Sequence, residues 1–105
     1  MKGSSQIIKQ LVQCIVAEVN PLRIILFGSA VSGKFGPDSD IDLLIVMPEG
    51  VHRRHTAQQL YRKIRGIALP FDLIVATPRD LETHKDQIGL IYQTILREGK
   101  EVYAA

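Results

Sequence analysis

Two apolar runs decide the fold of this chain: Arg23-Ile24-Ile25-Leu26-Phe27, which stops at Gly28-Ser29, and Asp40-Ile41-Asp42-Leu43-Leu44-Ile45-Val46-Met47, which stops at Pro48-Glu49-Gly50. Both are short and rich in β-branched residues, so they read as buried strands bounded by turn signals. Residues 30 to 39 between them hold Gly33, Gly36 and Pro37, a loop with at most one helical turn. Upstream, Ile8, Val12, Ile15, Val16 and Val19 recur at helical spacing, predicting a helix over 5–19 with Ser4 or Ser5 as its cap and Pro21 beyond its end. Downstream, Ala57, Leu60, Tyr61, Ile64 and Ile67 predict a second amphipathic helix over 52–67, whose outer side carries Arg53, Arg54, Arg62, Lys63 and Arg65. Phe71 to Ala76 form a third strand. Thr77-Pro78-Arg79-Asp80 then supplies an N-cap, a proline at the first helical position and an acid in the first turn. The helix so begun is expected to run to about Glu98 and stop at Gly99, burying Ile88, Ile91, Tyr92, Ile95 and Leu96, with Glu101 to Ala104 as a short closing strand. Helices alternating with strands predict an α/β fold, a small mixed sheet flanked by helices that pack mainly on one face.

At 105 residues the chain has room for one domain, expected to span 1–105. With 46% hydrophobic and 23% charged residues it is too apolar for a disordered segment. Lys and Arg number 13 against 11 Asp and Glu, and a net charge of +2 is too slight to imply nucleic acid or an acidic membrane. Direct nucleic-acid binding is therefore not expected. A single cysteine, Cys14, forms no internal disulfide, and within a helix it is a packing residue. No run approaches the roughly 20 apolar residues of a membrane span, and the first residues lack the apolar core of a signal peptide. The expectation is a reduced, cytoplasmic protein.

The candidate chemistry lies in Gly28-Ser29, Asp40-Ile41-Asp42 and Asp72. Side chains alternate along a strand, so Asp40 and Asp42 share a face, with their carboxylates about 6 to 7 Å apart along the chain. Side-by-side carboxylates repel, which is relieved if a hard cation such as Mg²⁺ sits between them; two solvated acids at a strand's start are the plainer reading. Asp72 stands inside Phe71-Asp72-Leu73-Ile74-Val75, where a charge is costly unless it is paired or bound to a cation. A third acid on a neighbouring strand would complete a two-metal clamp; pairing of Asp72 with Arg23 is the structural alternative. Glycine at a strand's end lets backbone approach a ligand closely, and the following N–H groups with the Ser29 hydroxyl can hold phosphate oxygens. Gly28 to Lys34 also fits the first seven positions of a P-loop. The eighth fails, because Phe35 replaces the Mg²⁺-binding Ser or Thr and Gly36-Pro37 blocks the helix that should follow.

The pattern Phe27-Gly28-Ser29, ten residues, Asp40-Ile41-Asp42-Leu43-Leu44-Ile45-Val46, and later Phe71-Asp72-Leu73-Ile74-Val75 resembles the minimal nucleotidyltransferases of the DNA polymerase beta superfamily. The resemblance covers nearly the whole chain. It implies the polymerase-beta-like fold, and transfer of a nucleoside monophosphate, expected to be AMP from ATP, to an acceptor hydroxyl with release of pyrophosphate. Asp40 and Asp42 would bind two Mg²⁺ ions, Asp72 would bind the catalytic ion and help deprotonate the acceptor, and Gly28 and Ser29 would hold the triphosphate. The resemblance further implies a partner, a helical HEPN-type toxin whose antitoxin such a protein is, and whose tyrosine hydroxyl it modifies in some cases. A domain of this size offers half of a substrate cleft, which fits assembly with a partner, whether a hetero- or a homo-oligomer.

One departure bears on this expectation. Relatives carry one or two arginines between Gly28-Ser29 and Gly33, whereas this chain has Ala30, Val31 and Ser32, leaving Lys34 as a point charge. The alternative function is a non-catalytic module that neutralises its partner by contact alone. An antibiotic-modifying transferase would carry a further substrate domain. The cluster His52, Arg53, Arg54 and His55 has two readings, contact with RNA or a partner and a solvated helix face, of which the second is preferred; His84 is solitary. Tyr61, Tyr92 and Tyr103 are read as core or edge aromatics.

Overall fold

A computed structural model describes residues 2–32, 40–83 and 87–105, with side chains described over 5–31, 40–82 and 91–105. Helix α1, Lys2–Val19, begins earlier than expected, so Ser4 and Ser5 lie within it and do not cap it. It ends where Asn20 takes a left-handed φ of 49° and donates its N–H to Val16 O at 3.1 Å, ahead of Pro21. Strand β1, Arg23–Phe27, follows as expected, and α2, Ser29–Ser32, is the single helical turn allowed for in the next segment. Gly33, Lys34, Phe35, Gly36 and Pro37 lie outside the described residues, as does His84.

Strand β2, Ile41–Val46, is one residue shorter at each end than expected, with Asp40 just before it. It is the inner strand with the deepest burial: Ile41, Leu43, Leu44 and Ile45 are fully enclosed. Helix α3, Arg53–Lys63, stops four residues before the expected end. Ile64 there is already extended (φ −77°, ψ 123°) and Gly66 turns the chain at φ +77°, so Ile64 and Ile67 pack on the core from a loop. Strand β3, Phe71–Ala76, then runs parallel to β2, and the β2–α3–β3 unit is a crossover with its helix on one face of the sheet.

The expected capping box opens α4, Pro78–Thr83. The Thr77 N–H and hydroxyl both donate to Asp80 Oδ2, at 2.9 and 3.0 Å, and the Asp80 N–H returns a bond to Thr77 Oγ1 at 3.3 Å. The single long helix expected from here is instead two, α4 and α5, Gln87–Glu98. Tyr92 and Ile95 of α5 are buried, but Ile91 is 56% and Leu96 38% exposed, so the stripe on this helix is narrower than expected; the Ile88 side chain lies outside the described residues. Among the described side chains of α5, Tyr92 and Ile95, three residues apart, are the ones buried against the sheet. Strand β4, Lys100–Ala104, closes the chain against β1.

The sheet order is β3-β2-β1-β4, with β2–β3 parallel and the other pairs antiparallel. A shift of register between Ile24 and Ile25 places a bulge where β4 meets β1. Both faces are covered, which corrects the expectation of helices mainly on one side. Leu11 and Ile15 of α1 and Leu60 of α3 pack on Ile24, Leu26, Leu43, Ile45, Leu73 and Val75. On the opposite face Tyr92 and Ile95 pack on Ile25, Leu44, Val46 and Ala76. The even-numbered residues of β2 and β3 belong to that second face, and Asp42 and Asp72 are among them. No helix among the described residues is long and apolar enough to cross a membrane.

Candidate active site

The acids come together because of register. In the parallel pair Asp42 stands opposite Asp72, and across the antiparallel pair Asp42 stands opposite Phe27, the residue before Gly28. Neighbouring strands are about 4.8 Å apart, so these three positions form one row across the sheet. Ile41 N–H, bonded to Pro70 O at 2.9 Å, anchors the start of β2 to the start of β3 and so sets Asp40 beside Asp72. Asp40 lies close enough to Asp72 to act on its carboxyl. Asp40 and Asp42 are half-buried and Asp72 is exposed.

Gly28 fits this row for a steric reason. It turns at φ +77°, and a Cβ there would overlap Asp42 Oδ2 and lie 3.3 Å from Asp42 Cγ. The carboxylate therefore rests directly against the bare backbone of the turn. Its carbonyl accepts the Val31 N–H at 3.1 Å, which starts the short α2 turn and leaves Ser29 as its first residue. A cavity of about 380 Å³ opens beside Gly28, bounded by Phe27, Val31, Thr94, Ile95 and Glu98. Thr94 and Glu98 were not singled out from the sequence. Nothing local marks them, because their relation to Gly28 depends on how α5 lies over the end of β1.

The electrostatics fit a crowded acidic centre. Desolvation, then the charges of Asp72 and Asp40, push the Asp42 carboxyl above its ordinary value of 3.8. Asp72 is also raised, by desolvation, by the hydrogen bond to Asp40 and by its charge. Since Asp72 is exposed, the Asp40 carboxyl is the weightier of these causes. Arg23 does not relieve the cluster: its Nε pairs with Glu101 Oε1 at 2.7 Å, which removes Arg23 as the partner of Asp72.

Three neighbouring carboxylates beside a turn with no side chain, with those of Asp42 and Asp72 raised, are a set of hard oxygen donors suited to Mg²⁺. The chemistry of the donors fits a divalent cation. Among the described residues, however, no three His, Cys, Asp or Glu side chains converge as a finished ligand set. Reorienting these side chains, with the backbone register unchanged, is what cation binding would require.

Residues 8–100 match the family model described as nucleotidyltransferase domain. The chain belongs to this family. Among solved structures, a Sulfolobus solfataricus protein assigned to the nucleotidyltransferases is 26% identical, with 77% of this chain and 73% of that one covered and a TM-score of 0.57. A toxin–antitoxin complex with AMP-PNP is 21% identical over 92% of this chain and 73% of that one, at a TM-score of 0.61. A mutant of the toxin–antitoxin MntA-HpeT is 17% identical over the same shares, at 0.62. No curated protein matches the chain at a significant level. The mixed sheet of this nucleotidyltransferase domain, with helices on both faces, is thus the fold of its neighbours.

Proposed function

We propose that this nucleotidyltransferase domain transfers a nucleoside monophosphate, AMP from ATP, to a hydroxyl of a protein partner, and that it is the antitoxin of a helical HEPN-type toxin. The observation that carries the reading is the row Gly28–Asp42–Asp72, in which two in-register acids and a side-chain-free turn meet beside a cavity. The AMP-PNP and toxin–antitoxin neighbours support the choice of nucleotide and of partner.

In this mechanism Asp40, Asp42 and Asp72 hold two divalent cations, which when bound offset the triphosphate charge and make the acceptor hydroxyl more acidic. The backbone of the Gly28 turn and the N–H and hydroxyl of Ser29 hold phosphate oxygens. The acceptor oxygen forms a bond to the α-phosphorus as the bond from that phosphorus to the bridging oxygen breaks. Pyrophosphate leaves, and the hydroxyl proton passes to the Asp72 carboxylate. Asp42, pressed against Gly28, fixes the separation between the phosphates and the acids.

Incubation with ATP labelled at the α-phosphate, Mg²⁺ and the helical partner should label the partner, and Asp42→Asn with Asp72→Asn should abolish labelling. No transfer by folded protein with any nucleoside triphosphate or divalent metal would refute catalysis. A second reading, a module that neutralises its partner by contact alone, is favoured by Ala30, Val31 and Ser32 standing where relatives have arginine. Neutralisation that persists without nucleotide and in the double aspartate variant would select it.

A further inference from the structure

The net charge of +2 conceals a strong segregation. Residues 50–71 hold five of the 13 Lys and Arg and none of the 11 acids, so the remainder of the chain is net acidic. Helix α3 carries most of this charge and buries only its apolar side, through Thr56 and Leu60, against the sheet. Arg54, Gln58 and Arg62 follow one another at four-residue spacing along the outward face, with His55 beside them, and all four are exposed. Arg54 and Arg62 are therefore about 12 Å apart along the axis.

Among the described residues these cations are largely unbalanced. Arg53 meets Asp80 at 3.4 Å, but Arg54, Arg62, Lys63 and Arg65 have no ion-pair partner among the described residues. Arg54 is also placed against the helix dipole, in a first turn that contains no acid. Stability alone does not favour that position. Next to it a cleft of about 740 Å³ opens, lined by Val51, His52, Arg53, Arg54, Ala57 and Val75, and the His52 and His55 rings stack at 4.1 Å at its rim. The cleft lies by the C-terminal end of β3, whereas Asp72 lies near the start of that strand and on the opposite face of the sheet.

We propose that the outer face of α3, from the His52–Arg54 cleft to Arg62, is a docking surface for the phosphodiester backbone of a nucleic acid, separate from the reaction centre. A membrane surface is disfavoured because the apolar side of α3 is spent on the core, which leaves nothing to insert. An acidic protein surface is disfavoured because tight protein contacts are built around apolar anchors. Beyond Val51, Ala57 and Val75 in the cleft, the large apolar side chain near this face is Tyr61, whose hydroxyl is already bonded to Leu73 N–H. Regularly spaced arginines with an amide between them, and planar rings at one end, suit a charged backbone bound largely by electrostatics.

The test uses the whole chain with fluorescein-labelled 20-nucleotide single-stranded RNA, single-stranded DNA and the corresponding duplexes, titrated at several salt concentrations. Binding that weakens steeply with salt is expected for at least one of these, and comparing the four identifies the source of the backbone. Arg54→Glu with Arg62→Glu should weaken it by about tenfold or more. The milder Arg54→Gln with Arg62→Gln should lower the salt slope by about 0.7 per arginine for a single strand or about 0.9 for a duplex. Asp42→Asn should leave binding intact, which separates this surface from the proposed reaction. No binding at 50 mM salt, equal binding by the folded arginine variants, or equal affinity for poly-glutamate or for phosphatidylserine vesicles would each overturn the proposal.

Discussion

At the scale of single residues the site is a compromise between charge and stability. The Asp42 and Asp72 carboxyls are raised above their unfolded value, so between that value and the raised one the folded state binds more protons than the unfolded state. Stability therefore falls as pH rises through this window, and the penalty is fully present at neutral pH. Asp42→Asn removes the Asp42 part of it: in metal-free buffer at pH 7 the variant should melt above the parent, and the difference should vanish as pH is lowered below about 3.8. Adding Mg²⁺ should raise the melting temperature of the parent and have a much smaller effect on the variant. Gly28→Ala acts by geometry, since its Cβ would displace the Asp42 carboxylate and its φ is left-handed. We expect about 1–2 kcal/mol of destabilisation from the backbone alone, read by urea unfolding, and loss of transfer well beyond what that accounts for. These residues stand out in the sequence by type and spacing. That Gly28 serves Asp42 was not, because the contact crosses from one strand to the next.

At the scale of elements, the exposed edge of β3 has a specific protector. The Leu73 N–H, which faces away from β2, donates to the Tyr61 hydroxyl at 2.8 Å, and the Tyr61 ring stacks on Phe71 at 5.7 Å with 6° between planes. Tyr61 is 43% exposed and so contributes less as a core residue than as a cover for an edge that would otherwise invite pairing. Tyr61→Phe should cost about 0.5–1.5 kcal/mol in denaturant unfolding, with faster amide exchange concentrated at Leu73. Helix ends show how far local signals reach. Thr77-Pro78-Arg79-Asp80 was legible because a capping box is complete within four residues. The end of α3 falls short of its expected place because apolar periodicity continues through Ile64 and Ile67, whereas the backbone leaves the helix at Ile64 so that Gly66 can turn the chain toward β3. The overestimate of buried residues on α5 has a similar origin. Periodicity marks Ile91 and Leu96 as apolar but not how much sheet there is to cover them.

For the molecule as a whole, Gly99 links the second face of the sheet to its last strand. A Cβ at this position would overlap Ile95 O and approach Ile25 Cγ2 at 2.7 Å and Leu26 O at 2.9 Å, so backbone would have to move on two sides. Gly99→Ala should lower stability by about 1–3 kcal/mol, measured by the urea midpoint, through disturbed docking of α5 and β4 on β1. The sequence by itself determined the strands, the α/β class, the capping of α4 and the identity of the acidic and glycine residues, because each depends on patterns within a few residues. Tertiary structure decided the order β3-β2-β1-β4, the helices on both faces, the pairing of Arg23 with Glu101 and not with Asp72, and the gathering of Gly28, Asp42 and Asp72 into one row. It also turned a net charge of +2 into two separated regions, an acidic centre on one face of the sheet and a basic helix surface on the other. Register and packing join residues tens of positions apart, and no local pattern carries that information.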